Sequence, residues 1–174
     1  AFNLSSADTS HVADVLIGTV NETKATVEGL STAFNFAGPA AAAAGLKFND
    51  LSALIGVLSN QGIKFSTIGT SIRTILTNLV APSSKAKEVF KQLGIPLAEL
   101  NPLTNDIVKV FERLKAAGFG TSEALQAFGA RGAFAIATVV RNAAAIEDLR
   151  KRTDEFGLAV EAADKRQESV SAQF

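Results

Sequence analysis

The stretch Gly45-Leu46-Lys47-Phe48-Asn49-Asp50-Leu51-Ser52-Ala53-Leu54-Ile55-Gly56-Val57-Leu58-Ser59-Asn60-Gln61-Gly62-Ile63-Lys64-Phe65 opens and closes on one punctuation: glycine, an aliphatic residue, lysine, phenylalanine. Glycine there can take the left-handed conformation that closes a helix, and the apolar residue after it can fold back onto the last turn. The reading is one helix, roughly Phe48 to Asn60, held between two tight corners. Gly94-Ile95-Pro96-Leu97 repeats the corner chemistry further on. The spacing between the three corners is unequal, so this is recurrent helix termination and not a fixed-period solenoid.

Helical periodicity extends in both directions from this stretch. Upstream, Val12, Val15, Leu16 and Val20 follow Ser6 and Asp8, whose side-chain oxygens can cap a first turn, and this predicts a helix ending near Glu22. A second helix starts around Thr26 with Val27, Leu30, Phe34 and Ala37 on one face. Gly38-Pro39 should break or kink it before Ala40 to Ala44, where small side chains permit close helix contact. Downstream, helices are expected over Ser66 to Val80, Ser84 to Leu93 and Leu103 to Ala117, with Ser66 and Ser83 at cap positions and Pro82 at a stop. The fold class is all-α, a bundle of helical hairpins with about seven to eight helices ending in a long coiled-coil-like helix.

The final segment carries a different pattern. Ile146, Leu149, Thr153, Phe156, Val160, Ala163, Gln167, Val170 and Phe174 succeed one another at steps of three and four, an a/d seam of about four heptads. Thr153 and Gln167 are polar at a-type positions, and Gly157 costs about 1 kcal/mol of helix propensity relative to alanine, so the seam is imperfect. Pattern alone leaves two readings open: self-association through this seam, or an amphipathic helix packed on its own domain. The division drawn is residues 1–142 as a helical core and 143–174 as a long C-terminal helix that continues in a parent chain.

Charge narrows the function classes. Seventeen basic residues balance seventeen acidic ones, so the strongly basic footprint of a general nucleic-acid binder is missing, and no specific nucleic-acid binding is expected. Twenty-five of the thirty-four charged residues lie between Lys85 and Phe174, whereas Gly29 to Ser84 holds only Lys47, Asp50, Lys64 and Arg73, so the first half must bury more of itself. Leu30 to Leu46 is uncharged but shorter than the ~20 apolar residues of a spanning helix. There is no cysteine, which removes disulfides and thiolate chemistry. No signal peptide is evident, and a chain that starts at Ala1 without methionine, tryptophan or tyrosine reads as a piece of something larger.

Candidate chemistry is sparse. His11, the one histidine, shares a helix face with Asp14, but a metal site needs more ligands and a catalytic histidine needs a nucleophile. Glu147-Asp148 and Asp154-Glu155 are adjacent carboxylates that diverge around a helix, and Arg150-Lys151-Arg152 between them reads as a solvated face. Gly118-Phe119-Gly120 has neither the preceding strand nor the following lysine of a phosphate loop. Arg131, in a glycine-rich corner, is expected to cap carbonyls at a helix end. No catalytic, cofactor or metal residues are assigned, and an enzyme is not expected.

Val12-Ala13-Asp14-Val15-Leu16, Leu30 with Phe34, and Ala37-Gly38-Pro39-Ala40-Ala41-Ala42-Ala43-Ala44-Gly45 together resemble the core region of phage tail tape measure proteins. The resemblance continues through Gly62-Ile63-Lys64, Gly69-Thr70-Ser71-Ile72-Arg73, Leu79 to Pro82, Leu93-Gly94-Ile95 and Phe128-Gly129-Ala130-Arg131-Gly132, covering roughly Phe2 to Ala163. Lys47 stands where a Ser or Thr cap is usual in that pattern. The resemblance implies a structural protein of the virion, a helical rod in the lumen of the tail near the tip or baseplate. Its length sets tail length, tail tube subunits assemble around it, and it is ejected at infection. It also implies parallel copies, with a trimer favoured, contacts with tail tube and tail tip or baseplate proteins, and contact with the host membrane. Two further classes are a membrane-active helical protein forming a channel for DNA passage and a generic helical oligomerisation module.

Overall fold

The computed structural model describes Phe2 and residues 4–154. Among these are eight α-helices and no strand: α1 (Thr9–Glu22), α2 (Val27–Ala43), α3 (Phe48–Ser59), α4 (Phe65–Val80), α5 (Ser84–Gln92), α6 (Ile107–Ala116), α7 (Thr121–Arg141) and α8 (Ala143–Thr153). Short 3-10 turns precede α1 at Ser6–Asp8 and α6 at Leu97–Glu99. The all-α bundle expected from the periodicity is the architecture found, and the heptad positions from Phe156 onward lie outside the described residues.

α3 is the axis of the bundle. Every residue from Asn49 to Ser59 is buried, as befits a largely apolar helix packed on all sides. It touches α1, α2, α4, α7 and α8. α2 lies along α4, α4 against α7, and α5 and α6 close the far side on α7. Where polar groups enter this core they are paired: Thr19 Oγ1 of α1 donates to Val15 O and shares a 2.8 Å bond with Ser52 Oγ of α3. Two aromatic clusters brace opposite parts of the bundle. Phe34 stacks on Phe48 at 4.6 Å between centroids with Phe2 edge-on to both, and Phe90, Phe119 and Phe128 form a second triangle.

Two of the three expected glycine corners close in full; at Gly62 the glycine is left-handed (φ 71°) and the turn is closed by Gly62 N–H donating to Ser59 O at 3.0 Å. At Gly45 (φ 81°) and Gly94 (φ 70°) the next residue folds back, Leu46 N–H donating to Ala41 O and Ile95 N–H to Phe90 O, each at 3.0 Å. Gly118 makes the same closure, with Phe119 N–H on Leu114 O, so the loop between α6 and α7 is a third corner closed this way.

Other expectations need correction. Pro39 does not break α2, which runs from Val27 to Ala43 without interruption. A proline restricts its predecessor through that residue's Cβ, and Gly38 has none. The donor that Pro39 lacks would have served Asn35 O, and both residues are exposed, so that carbonyl is open to solvent and the lost bond costs little enough for the helix to continue. Pro39→Ala should therefore raise stability by about 1–2 kcal/mol, the missing helix bond gained exceeding the lost stiffness of the unfolded chain. Thermal unfolding checks this, and a lower Tm would show that the ring itself packs usefully. Ser66 lies inside α4, where Lys64 holds the cap position. α6 begins at Ile107, four residues later than Leu103, because Asn101 Oδ1 accepts Leu103 N–H in a turn, Asn105 Nδ2 donates to Ala98 O, and Asp106 takes the cap. α7 is two helical pieces joined at Gly129 (φ 67°, ψ 175°), and Arg131 beyond that joint is exposed with its guanidinium on no carbonyl among the described residues.

Candidate functional site

Two helices start beside each other under α8, each with an acidic residue satisfying its free amides. Asp50, three residues past the cap position of α3, accepts Lys47 N–H on Oδ2 at 2.8 Å, which compensates for the lysine at that position. Asp106, the N-cap of α6, accepts Val108 and Lys109 N–H on Oδ1 at 3.0 and 3.3 Å. Each carboxylate keeps one oxygen free of its own helix, and Arg150 of α8 takes both. Its Nη1 lies 2.9 Å from Asp50 Oδ1 and 2.7 Å from Asp106 Oδ2, while its Nη2 donates to Glu147.

This arrangement is partly sheltered: the Arg150 side chain is 18% exposed, that of Asp50 10% and that of Asp106 36%. Burial acts to raise the pKa of Asp106 but is outweighed by the hydrogen bond and charge of Arg150 and by the amides of Lys109 and Val108, so it falls below the usual carboxylate range. Burial acts likewise to lower the pKa of Arg150, and the bonds and charges of Asp106 and Asp50 carry it upward instead. Arg150, Asp50, Asp106 and Glu147 are thus each paired within the chain. The arrangement ties α3, α6 and α8 together.

More polar contacts fasten the end of α8. Arg152 pairs with Glu22 of α1 and, at 2.7 Å, with Asp148. Asp154 Oδ1 accepts from Asn49 Nδ2 at 3.2 Å and lies 3.3 Å from His11 Nε2. Thus His11 faces Asp154 and is not part of a ligand cluster, while Asp14 on the same helix is buried. The run Arg150-Lys151-Arg152 is a solvated face at Lys151 and Arg152, 73% and 49% exposed, while Arg150 is sheltered at 18%.

The first seam residues point into the bundle. Ile146, Leu149 and Thr153 are all buried, on a helix that touches α1, α3 and α6. Leu149 Cδ2 sits 3.0 Å from where a Cβ on Gly56 would be, beside the methyls of Thr19 and Thr23, and Thr153 Oγ1 donates to Leu149 O at 2.9 Å. The remaining seam positions, Phe156, Val160, Ala163, Gln167 and Val170, lie outside the described residues. The sequence reading passed over Asp50 and Asp106. A signal for Asp106 exists: it directly precedes the periodic run Ile107, Val108, Val110, Phe111, Leu114.

Residues 1–134 match the family described as phage-related minor tail protein. The chain belongs to that family. It is similar to the "Probable tape measure protein" of Escherichia phage P2, at 30% identity over 185 aligned residues, covering all of this chain and 23% of that protein. It is also similar to the "Tape measure protein" of Pneumococcus phage Dp-1, at 28% identity over 71% of this chain and 11% of that protein. The chain thus spans about a quarter of the length of one relative and about a tenth of the other. No solved structure matches. Among the described residues no helix is long and apolar enough to cross a membrane, and no group of three or more His, Asp or Glu side chains is placed to hold a metal ion.

Proposed function

We propose that the chain is a segment of a tape measure protein, a structural component of a phage tail, and that it serves as a folded anchor in that protein. Family membership along residues 1–134 supports the tail role. The parent chain would set tail length, template the tail tube and leave the tail at infection, lying in the lumen near the tip or baseplate as parallel copies, a trimer by preference. A ruler needs extended helix, which adds about 1.5 Å per residue. This segment reverses direction at its glycine corners, and its longest helix, 21 residues with a joint at Gly129, reaches only about 30 Å. Length measurement therefore belongs to the rest of the parent, and a compact bundle suits contact with tail tip or baseplate proteins.

Particles carrying an in-frame deletion of residues 1–154 in the parent chain test this by electron microscopy. The expected result is heads without tails, since the anchor from which the tube grows is gone. Tails shortened by about 1.5 Å for each residue removed would overturn the anchor role in favour of a ruler. Normal tails on virions that lack the parent chain would overturn the tail role itself.

A further inference from the structure

Lys87 and Lys91 stand one turn apart on the exposed edge of α5, beside the corner that leads from that helix into the 3-10 turn at Leu97–Glu99. Along them runs an open groove of about 480 Å³ floored by Gly94, Ile95, Pro96 and Leu97. The floor is apolar and poor in backbone donors: Ile95 N–H donates to Phe90 O, and Pro96 has no N–H. Leu97 is 39% exposed there. The floor is also held from behind. Asn105 Nδ2 donates to Ala98 O at 2.7 Å and Arg113 Nη1 to Glu99 O at 3.1 Å, so the groove is built before anything binds.

The charges beside it are unmatched. Arg113, Lys151 and Arg152, also exposed, each stand against a carboxylate, whereas the ammonium groups of Lys87 and Lys91 enter no ion pair or hydrogen bond among the described residues. Glu88, the one carboxylate of α5, accepts from Gln92 Nε2, and Glu99, the next in the chain, pairs with Arg113. Like charges at i and i+4 on a helix repel, and no described carboxylate relieves this pair. We infer that the groove is a docking site for an acidic, aliphatic segment of a partner protein. Aliphatic side chains of that segment cover Ile95, Pro96 and Leu97, and two carboxylates one helical turn apart meet Lys87 and Lys91. A nucleic acid fits less well, since two cations are a small footprint and no aromatic ring or arginine lines the groove for bases to stack on. A lipid surface asks for a broader apolar face and more cations than this. Nothing here depends on the tail role, which stands whatever the groove holds.

Titration of the 174-residue chain with a soluble peptide carrying glutamates at i and i+4 beside leucines, read by amide chemical shifts, tests this. The amides of Lys87, Lys91, Ile95 and Leu97 should move together and saturate with a Kd below about 1 mM. Glutamine in place of the glutamates should weaken binding at least about tenfold, as should Lys87→Glu combined with Lys91→Glu. A peptide with lysines in place of its glutamates should bind that double variant more tightly than the wild type. Leu97→Ser leaves both lysines in place and should also weaken the glutamate peptide. No saturating shift at these amides, or equal binding by the glutamine peptide, would overturn the acidic partner. So would groove amides that move on dilution without peptide, since the occupant is then a second copy of the chain. A short DNA duplex or phosphatidylglycerol vesicles that move the same amides at lower concentration would replace the protein partner by a nucleic acid or a lipid surface.

Discussion

Arg150→Met is expected to lower the unfolding free energy by about 2–4 kcal/mol, among the largest losses available from a single charged residue in this chain. The guanidinium bridges helix-capping carboxylates from α3 and α6 and also binds Glu147 within α8. Hydrogen bonds to charged groups contribute about 1.5–3 kcal/mol each, and the total is discounted because Asp106 is partly open to solvent. Methionine preserves most of the stem packing, so the loss reports the charge. Lys151→Ala sets the scale from the other side. Lys151 also pairs with Glu147, but it is 73% exposed, and its removal should change stability by less than about 0.5 kcal/mol. Chemical denaturation of both variants checks the contrast, and equal effects would mean that solvent screens the Arg150 centre as fully as the surface.

The same centre sets how the fold responds to acid. The pKa of Asp106 is depressed in the folded chain, so its contribution is complete above the ordinary carboxylate value of about 3.9 and is lost as pH falls through the depressed value. Stability should hold down to about pH 5 and decline below about pH 4. In Arg150→Met the pKa of Asp106 returns toward its ordinary value, and this acid limb should become shallower.

The parts of the fold legible in the sequence are those set by local chemistry. The corners at Gly45 and Gly94 were readable because termination by glycine with a following apolar residue needs only neighbouring residues. Ser83 was readable as a cap, and it does accept Ala86 N–H. Local readings failed where tertiary geometry decides. Gly38-Pro39 carries two helix-disfavouring residues, yet Gly38 relieves the clash that Pro39 would impose, and the helix continues. Arg150 looked like a solvated charge among others because its partners Asp50 and Asp106 are 100 and 44 residues away. No periodicity within α8 distinguishes it from Lys151. The seam shows the limit most clearly: steps of three and four identify which face of α8 is apolar, and Ile146 and Leu149 are indeed buried, but a pattern cannot say which partner covers it.

Gly69→Val is the other large expected effect, a loss of about 3–5 kcal/mol or failure to fold. The uncharged half of the chain closes on itself where α2 and α4 meet, along Gly29, Ala33 and Ala37 on one helix and Gly69 on the other. A Cβ at Gly69 would stand 2.7 Å from Ala33 O and 2.7 Å from Phe36 Cβ. The first of these is backbone inside a helix, so it cannot swing aside. Gly29 gives a useful comparison, since the atoms nearest to a Cβ there all belong to the ring of Phe65, and a ring can rotate or shift. Alanine at either position gains about 1 kcal/mol of helix propensity, which offsets part of the clash. Gly69→Ala should still be destabilising by about 1–2 kcal/mol, and Gly29→Ala less so. The consequence reaches beyond stability. If α2 and α4 are forced apart, the charge-poor surface between them is uncovered, and Gly69→Val should aggregate on heating before the wild type does. Light scattering during a thermal ramp reads this directly, and a Gly69→Val chain as soluble and as stable as the wild type would mean that the two helices are not in backbone contact.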